Sequence, residues 1–453
     1  MDTILSLLSK YDKPIPRYTS YPTVPYWQPE TIDDAKWKNA VVNRLASESN
    51  ELCIYIHLPY CESLCTFCAC NKRITKNHSV EDKYIDTVLH EWKIYRELMT
   101  EKPIIREIHL GGGTPTFFSP ANLSRLITGI TNTGIIPDDH EFSIEVHPNY
   151  TRKEHLEALY KAGFTRISLG VQDFDPHVQY IINRIQSFAK TKEVIDWARA
   201  IAYNSINIDL VYGLPKQTVE HIEFTISQIN QLMPDRIAFY SYAHVPWKSK
   251  GQRRYTEEDL PAAEQKWAMY NKGRELLMGN GFKAIGMDHF ALQNDKLWQA
   301  ASQGKMHRNF MGYTTTQNKL IIGLGASSIS DSWNAFIQNE KEVEAYIEKI
   351  EKGELPIITG HLNDEEDLVY RKHILDLMCK GNTTLDVEKM DGAFLNSVQE
   401  KLQLMQGDGL VKLEGSSIAV TEQGNTFIRN ICSALDARMW KKSNFEKMFS
   451  KAI

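Results

Sequence analysis

From residue 53 onward, short apolar runs alternate with amphipathic stretches. The runs CIYIHL (53–58), REIHLGG (106–112), EFSIEVHP (141–148), RISLGVQDF (166–174), NIDLVYGLP (207–215) and RIAFYSYAHVP (236–246) read as buried strands. Between most of them lie helical patterns: DKYIDTVLHEWKIYRELM (82–99), RKEHLEALYKAG (152–163), TKEVIDWARAI (191–201) and VEHIEFTISQINQL (219–232). The first and third of these space their apolar residues by three and four. Strand, helix, strand at this rhythm predicts a parallel sheet with helices outside. Six units are too few to close an eight-fold barrel, so the expected fold is α/β, a partial, open barrel.

In parallel barrels the chemistry sits at the C-terminal ends of the strands. Glycine and polar residues collect at those ends here: GGGTPT, EVHP, GVQDF, DLVYGLP and YAHVP. One such ending would be a turn signal. Five in succession predict a shared site.

The flanks depart from this rhythm. Residues 1–50 read as an irregular arm with helical turns that contacts the active site; its PIPRYTSYPTVPYW suits an extended, docked segment. Residues 51–350 form the barrel with its extension. In 351–453, EEDLVYRKHILDLMC (365–379) and FLNSVQEKLQLMQGDG (394–409) read as helices. LVKLEGSSIAVT (410–421) reads as a hairpin, and GNTFIRNICSAL as a further helix. Helices plus a terminal hairpin predict a mostly helical, winged-helix-like domain. Such domains often bind DNA, but the basic residues here are scattered.

Composition narrows the setting. Of 453 residues, 42% are hydrophobic and 24% charged, and the formal net charge of -5 gives no reason to expect nucleic acid. No apolar run approaches the ~20 residues of a membrane span. The opening MDTILSLLSKYDKPIPRYTS lacks the layout of a secretory signal. Seven cysteines, sparse outside one cluster, do not make a disulfide framework. The expectation is a cytoplasmic protein with reduced thiols.

That cluster is CESLCTFCAC (61–70). Cys61, Cys65 and Cys68 follow C-x3-C-x2-C, and Cys70 comes one residue later. A structural zinc site wants four ligands, commonly two knuckles, and no second knuckle exists; His57 lies in an apolar strand. A redox dithiol at Cys65 and Cys68 would leave Cys61 idle. An iron–sulfur cubane normally takes four thiolates, so three leave one iron open to an outside ligand.

The spacing, with Phe67 between the last two cysteines and GGGTPT after a strand, resembles the radical S-adenosylmethionine superfamily. CESLCTFCACNK, HLGGGTPT, SIEVHP, SLGVQDF, NIDLVYGLPKQT, YAHVP, GMDHFA, HRNFMGYTT and RNIC narrow the resemblance to oxygen-independent coproporphyrinogen III oxidases, from PRYTSYPT at residue 16 to RNIC at 429–432. The resemblance implies decarboxylation of two propionates of coproporphyrinogen III to vinyl groups, giving protoporphyrinogen IX in heme synthesis. A [4Fe-4S] cluster with one open iron would bind S-adenosylmethionine and cleave it to a 5'-deoxyadenosyl radical, which takes hydrogen from the propionate β-carbon. An electron donor such as flavodoxin or ferredoxin, and action as a monomer, follow from the same resemblance.

Carried over residue by residue, the resemblance makes Cys61, Cys65 and Cys68 the cluster ligands. Tyr55, Gly112 and Glu145 match contacts to the cluster-bound S-adenosylmethionine, Tyr55 at the catalytic end of the first strand. Gly113, Thr114, Gln172, Arg184, Asp209, Ala243 and Ile329 match the lining of a second S-adenosylmethionine site, so two molecules per chain are implied. Cys70 matches a thiol that is not a cluster ligand; it is a candidate catalytic hydrogen donor or a packing residue. It also argues against the heme-chaperone relatives, which carry Phe there. A heme carrier on this scaffold and a radical methyltransferase acting on heme are the alternative readings. Arg17, Tyr18, Tyr21, His307 and Arg308 are candidate substrate contacts. Met311 stands where the family would have glutamine and joins them through packing, since a thioether cannot donate a hydrogen bond.

Overall fold

The structure, a computed structural model, describes residues 2–441 and 448–451. The end of the C-terminal unit at 442–447 and 452–453 lies outside the described residues.

The six expected strands form at Glu51–Leu58, Ile104–Gly112, Glu141–Val146, Phe164–Gln172, Ser205–Tyr212 and Arg236–Ser241. They lie side by side in that order, every neighbouring pair parallel. Ile54, Ile56, Ile108, Ile144, Ile167 and Ile208 are fully buried in the main core. The expected helices form at Val80–Glu97, Lys153–Lys161, Phe188–Ile201 and Val219–Leu232. A further helix, Pro120–Thr131, links the second and third strands. The Ser119 hydroxyl caps it by accepting from the Asn122 N–H, with Pro120 in its first turn.

The barrel is open, as its six units predict, and both edges are extended. Ile321–Leu324 pairs parallel with the first strand, and Ile329–Asp331, Ala335–Asn339 and Ile357–Leu362 continue antiparallel. At the other edge, His289–Ala291 and Lys283–Ile285 add antiparallel to the sixth strand. The result is one open row of twelve strands.

The N-terminal segment is more regular than its sequence predicts. Asp2–Tyr11 and Asp34–Ser47 are helices, and the second buries Trp37, Val41 and Leu45 in the main core. Leu7, Leu8, Tyr11, Ile15, Tyr18 and Tyr21 enter a second core instead, with Tyr370, Ile374, Phe427 and Ile431. That core belongs to the C-terminal helices Glu365–Lys380, Gly392–Gly407 and Ile428–Ala434 and a small sheet of Asn382–Thr384, Val411–Glu414 and Ser417–Val420. The winged-helix pattern is present there. The apolar face it would otherwise expose is covered by the other end of the chain. No helix among the described residues is long and apolar enough to cross a membrane.

Candidate active site

A cavity of ≈ 390 Å³ opens at the C-terminal ends of the parallel strands. Each strand ending singled out by sequence contributes to it: Gly112, Gly113 and Thr114 from the second, Glu145 from the third, Gln172 from the fourth, Asp209 from the fifth and Ala243 beyond the sixth. Cys61, Cys65, Cys68, Cys70, Arg17 and Arg184 line it as well.

The cysteine loop is clamped along its length. Tyr60–Cys61 pairs with Arg73–Ile74 as a two-residue parallel ladder, which closes the loop at its base. The Thr66 N–H donates to the Ile182 carbonyl at 2.9 Å, and Asn183 Nδ2 donates to the Leu64 carbonyl at 2.7 Å. From the opposite side Ser249 Oγ donates to the Cys68 carbonyl at 2.9 Å, and Gln252 Nε2 to the Phe67 carbonyl at 2.6 Å. These backbone anchors leave the sulfurs directed at the cavity they line.

Polar side chains reach two of the sulfurs. Arg184 Nη1 donates to Cys65 Sγ at 3.4 Å, and Thr114 Oγ1 to Cys61 Sγ at 3.4 Å. The Cys70 thiol, with Lys72 and Arg184 nearby, pushes Cys68 down to about 6. As donor in that pair, Cys70 is held well above the ordinary thiol range. Burial pushes Cys61 up to about 11.

The donor set fits a cubane. Three thiols face one cluster-sized space with a guanidinium and an ammonium beside them. No group of three or more His, Cys, Asp and Glu among the described residues is arranged to hold a single ion. A cubane does not ask for that, because its thiolates grip separate irons and stand apart.

The glycines of GGGTPT are dictated by close approach. A Cβ at Gly113 would lie 2.6 Å from the Pro59 carbonyl oxygen. Gly112 has φ +111°, and a Cβ there would meet the His57 ring at 2.8 Å. His57 is thereby explained as a support. Its Nε2 donates to the Asn71 carbonyl at 2.9 Å, and its Nδ1 accepts from the Tyr55 hydroxyl at 3.0 Å. Burial lowers its pKa, which keeps the ring neutral for both roles.

Tyr55 does not line the cavity; it stacks on His109 at 5.9 Å behind the wall. His109 in turn bonds Ser143 Oγ at 2.7 Å and Glu145 Oε1 at 3.3 Å, orienting that carboxylate. Asp209 accepts from Ser168 at 3.0 Å and from Asn207 at 2.8 Å; burial, with Glu145 nearby, raises it to about 6. Gln172 sits at φ +71° where the ladder to the fifth strand shifts register, and the bulge turns this strand end.

Several expected contacts are not at the cavity. Tyr18 and Tyr21 are buried in the second core. The Tyr18 hydroxyl donates to Asp436 at 3.1 Å, and the Tyr21 hydroxyl accepts from the Arg438 N–H at 3.4 Å. Their aromatic bulk fills the seam between the chain ends, so they do not line the space where a substrate would sit. His307 and Met311 belong to the hairpin His307–Asn309 and Gly312–Thr314, off the cavity wall. Burial and Arg371 push His307 down to about 4. Ile329 lies on the added antiparallel strand beside Gly323, the pairing partner of Tyr55, and is not in the lining. Arg308 is buried behind Arg17, its guanidinium 4.4 Å over the Tyr313 ring. Arg17 is the arm residue that reaches the site: it lines the cavity, and its Nη2 donates to the Ser241 carbonyl at 2.7 Å.

The sequence did not single out Lys72, His109, Ser249 or Gln252. His109 stood inside the quoted HLGGGTPT, where strand alternation puts it on the same face as Gly111. Ser249 and Gln252 carry no motif signal and are brought to the loop by tertiary structure.

Comparison with known proteins follows the same lines. The chain matches the radical SAM superfamily over residues 55–229. It is 37% identical to the oxygen-independent coproporphyrinogen III oxidase of Salmonella typhimurium, over 100% of this chain and 99% of that protein. It is 35% identical to that of Pseudomonas aeruginosa, over 96% of each. Among solved structures it superimposes on coproporphyrinogen III oxidase from Escherichia coli with a TM-score of 0.87 at 33% identity, over 96% of this chain and 98% of that one.

Proposed function

The chain belongs to the oxygen-independent coproporphyrinogen III oxidase family of radical SAM enzymes, and on that footing we propose that it converts two propionates of coproporphyrinogen III to vinyl groups, giving protoporphyrinogen IX and CO2 in heme biosynthesis. The observation that carries this is the identity over the whole length, both flanks included, together with three cysteines on one cavity at the barrel mouth. The enzyme uses a [4Fe-4S] cluster and S-adenosylmethionine. When bound, they supply the 5'-deoxyadenosyl radical that removes a hydrogen atom from the propionate β-carbon.

In this reading Cys61, Cys65 and Cys68 hold the cluster and leave one iron for S-adenosylmethionine. Gly112 lets the backbone come close, and Glu145 receives hydroxyl donors of the ligand, held in place by His109 with Tyr55 stacked behind it. Gly113, Thr114, Gln172, Arg184, Asp209 and Ala243 line the remaining wall and suit a second S-adenosylmethionine. Arg17 offers a guanidinium to a propionate from the arm side, with Arg308 behind it. Cys70, exposed to the cavity, is poised as a hydrogen donor on the substrate side. Seven free thiols support a reducing, cytoplasmic setting; action as a monomer served by an outside electron donor is proposed from the family resemblance alone.

The test is an anaerobic assay of the holoenzyme with coproporphyrinogen III, S-adenosylmethionine and dithionite. Vinyl-bearing tetrapyrrole and 5'-deoxyadenosine are expected together; unchanged substrate would overturn the reading. Cys65→Ser is expected to lose both iron and turnover. Equilibrium dialysis of the holoenzyme against labelled S-adenosylmethionine counts the molecules bound per chain.

A further inference from the structure

The cysteine loop that lines the cavity presents its other side to solvent. Ser63 lines the cavity, and its neighbour Leu64 is 38% exposed on the outside. The same holds across the loop's buttress: Arg184 reaches Cys65 Sγ, while the next residue, Ile185, is 66% exposed. Tyr180, one turn earlier, is 63% exposed. Leu64, Tyr180 and Ile185 are thus three exposed large apolar side chains on two segments that the Thr66–Ile182 and Asn183–Leu64 hydrogen bonds hold together.

Against this patch lies the segment WKSKGQRR (247–254). A Cβ on Gly251 would be 3.4 Å from the Thr66 carbonyl oxygen and 3.7 Å from the Leu64 side chain. The segment carries Lys248, Lys250, Arg253 and Arg254, all exposed. Lys341 stands close enough to Lys248 to help burial lower its pKa. Among the described residues these five cations make no ion pair within 4.0 Å, whereas most other exposed arginines near carboxylates do, such as Arg73 with Glu344. Glu257 and Glu258 come next along the chain but line a separate groove with Pro261 and Lys266. On a chain of net charge -5, unpaired cations gathered at one place are a local feature.

An apolar centre with a cationic rim, over a redox site, suits a small and transient interface in which charge steers the approach. We propose that the outer face of the cysteine loop, centred on Leu64, Tyr180 and Ile185 and flanked by Lys250, Arg253 and Arg254, docks an acidic one-electron carrier protein that reduces the site. With a cluster held by Cys61, Cys65 and Cys68, the carrier would give up one electron to it across this face and itself be oxidised by one electron; no atom is transferred. The inference rests on the cluster assignment above. It adds where the reductant binds and by what charge.

The test uses holoenzyme and a purified acidic flavodoxin. Reversing the rim (K250E/R253E/R254E) is expected to weaken flavodoxin binding in calorimetry, and to raise the KM for flavodoxin, by about tenfold or more. Iron content, absorbance and dithionite-supported turnover are expected to stay at wild-type values. With unmodified enzyme, the KM for flavodoxin is expected to rise with ionic strength, which needs no variant. Unchanged binding, or a KM insensitive to both salt and charge reversal, overturns the proposal. A rise in the tetrapyrrole KM under dithionite, with flavodoxin binding intact, would give the rim to substrate and overturn it equally. Binding is read without turnover, so loss of the assigned activity and loss of the docking site are told apart.

Discussion

Gly112 shows how much one missing side chain decides. Its φ of +111° and the 2.8 Å separation between a would-be Cβ and the His57 ring exclude any other residue without local rebuilding. Gly112→Ala is expected to strain the strand end by roughly 1–3 kcal/mol. The displaced ring would lose its bonds to Tyr55 and Asn71. Iron content should be retained, because no cysteine anchor is touched, while 5'-deoxyadenosine formation should fall about tenfold or more. Iron analysis beside product quantification checks this, and wild-type product yield would contradict it. The cysteines were legible at this scale because covalent spacing alone sets C-x3-C-x2-C. Tyr18 and Tyr21 were not: a tyrosine in a Pro-rich arm looks alike whether it meets ligand or core, until the second core is seen to enclose it.

At the scale of elements, Glu91 ties the helix Val80–Glu97 to the strand Ile321–Leu324 that the barrel adds beside its first strand. It is fully buried and accepts from the Gly325 N–H at 2.8 Å, Asn339 Nδ2 at 2.6 Å and the Tyr346 hydroxyl at 2.7 Å. Burial raises its pKa from 4.5 to about 7 despite these bonds. The folded state thus holds a proton that the unfolded chain has released. The stability this contributes is complete below 4.5 and is lost as pH rises through about 7. Glu91→Gln is expected to remove that slope, which amounts to roughly 3 kcal/mol. The thermal midpoint of the variant should therefore gain on wild type between pH 5 and pH 8, and parallel midpoints would refute the assignment. The six parallel strands and their helices were legible because side-chain periodicity is local. The added strands were not, being three to six residues long, too short for a period-two pattern to stand out.

Across the whole molecule the two chain ends are welded together. Arg429 Nε donates to the Pro16 carbonyl at 3.1 Å and Nη1 to the Lys451 carbonyl at 3.1 Å, with a further bond to Ile15. Asn430 Nδ2 donates to the Tyr11 carbonyl at 2.8 Å. Burial, with Arg17 nearby, lowers Arg429 to about 9. Arg429→Leu is expected to free the arm and cost roughly 3 kcal/mol in lost charged hydrogen bonds. Limited proteolysis should then cut near residues 12–24, while the barrel keeps its iron. An arm as resistant as wild type would show that the apolar contacts of Leu7, Leu8 and Tyr18 suffice. Arg17 rides on this arm, so the anchor also sets the cationic wall of the cavity.

The sequence by itself determined the parallel repeat, the strand endings that carry the site, the three thiols and the family, since each is written in local periodicity or in short spacings along one covalent chain. Tertiary structure alone decided which distant groups meet. It brings Arg184 to Cys65 across 119 positions and Gln252 to Phe67 across 185. It turns Tyr18 and Tyr21 inward to close a second core and sets the exposed Lys250, Arg253 and Arg254 beside the outer face of the cysteine loop. These placements follow from the need to bury apolar surface and pair buried polar groups over the whole chain, a condition no single stretch of sequence contains.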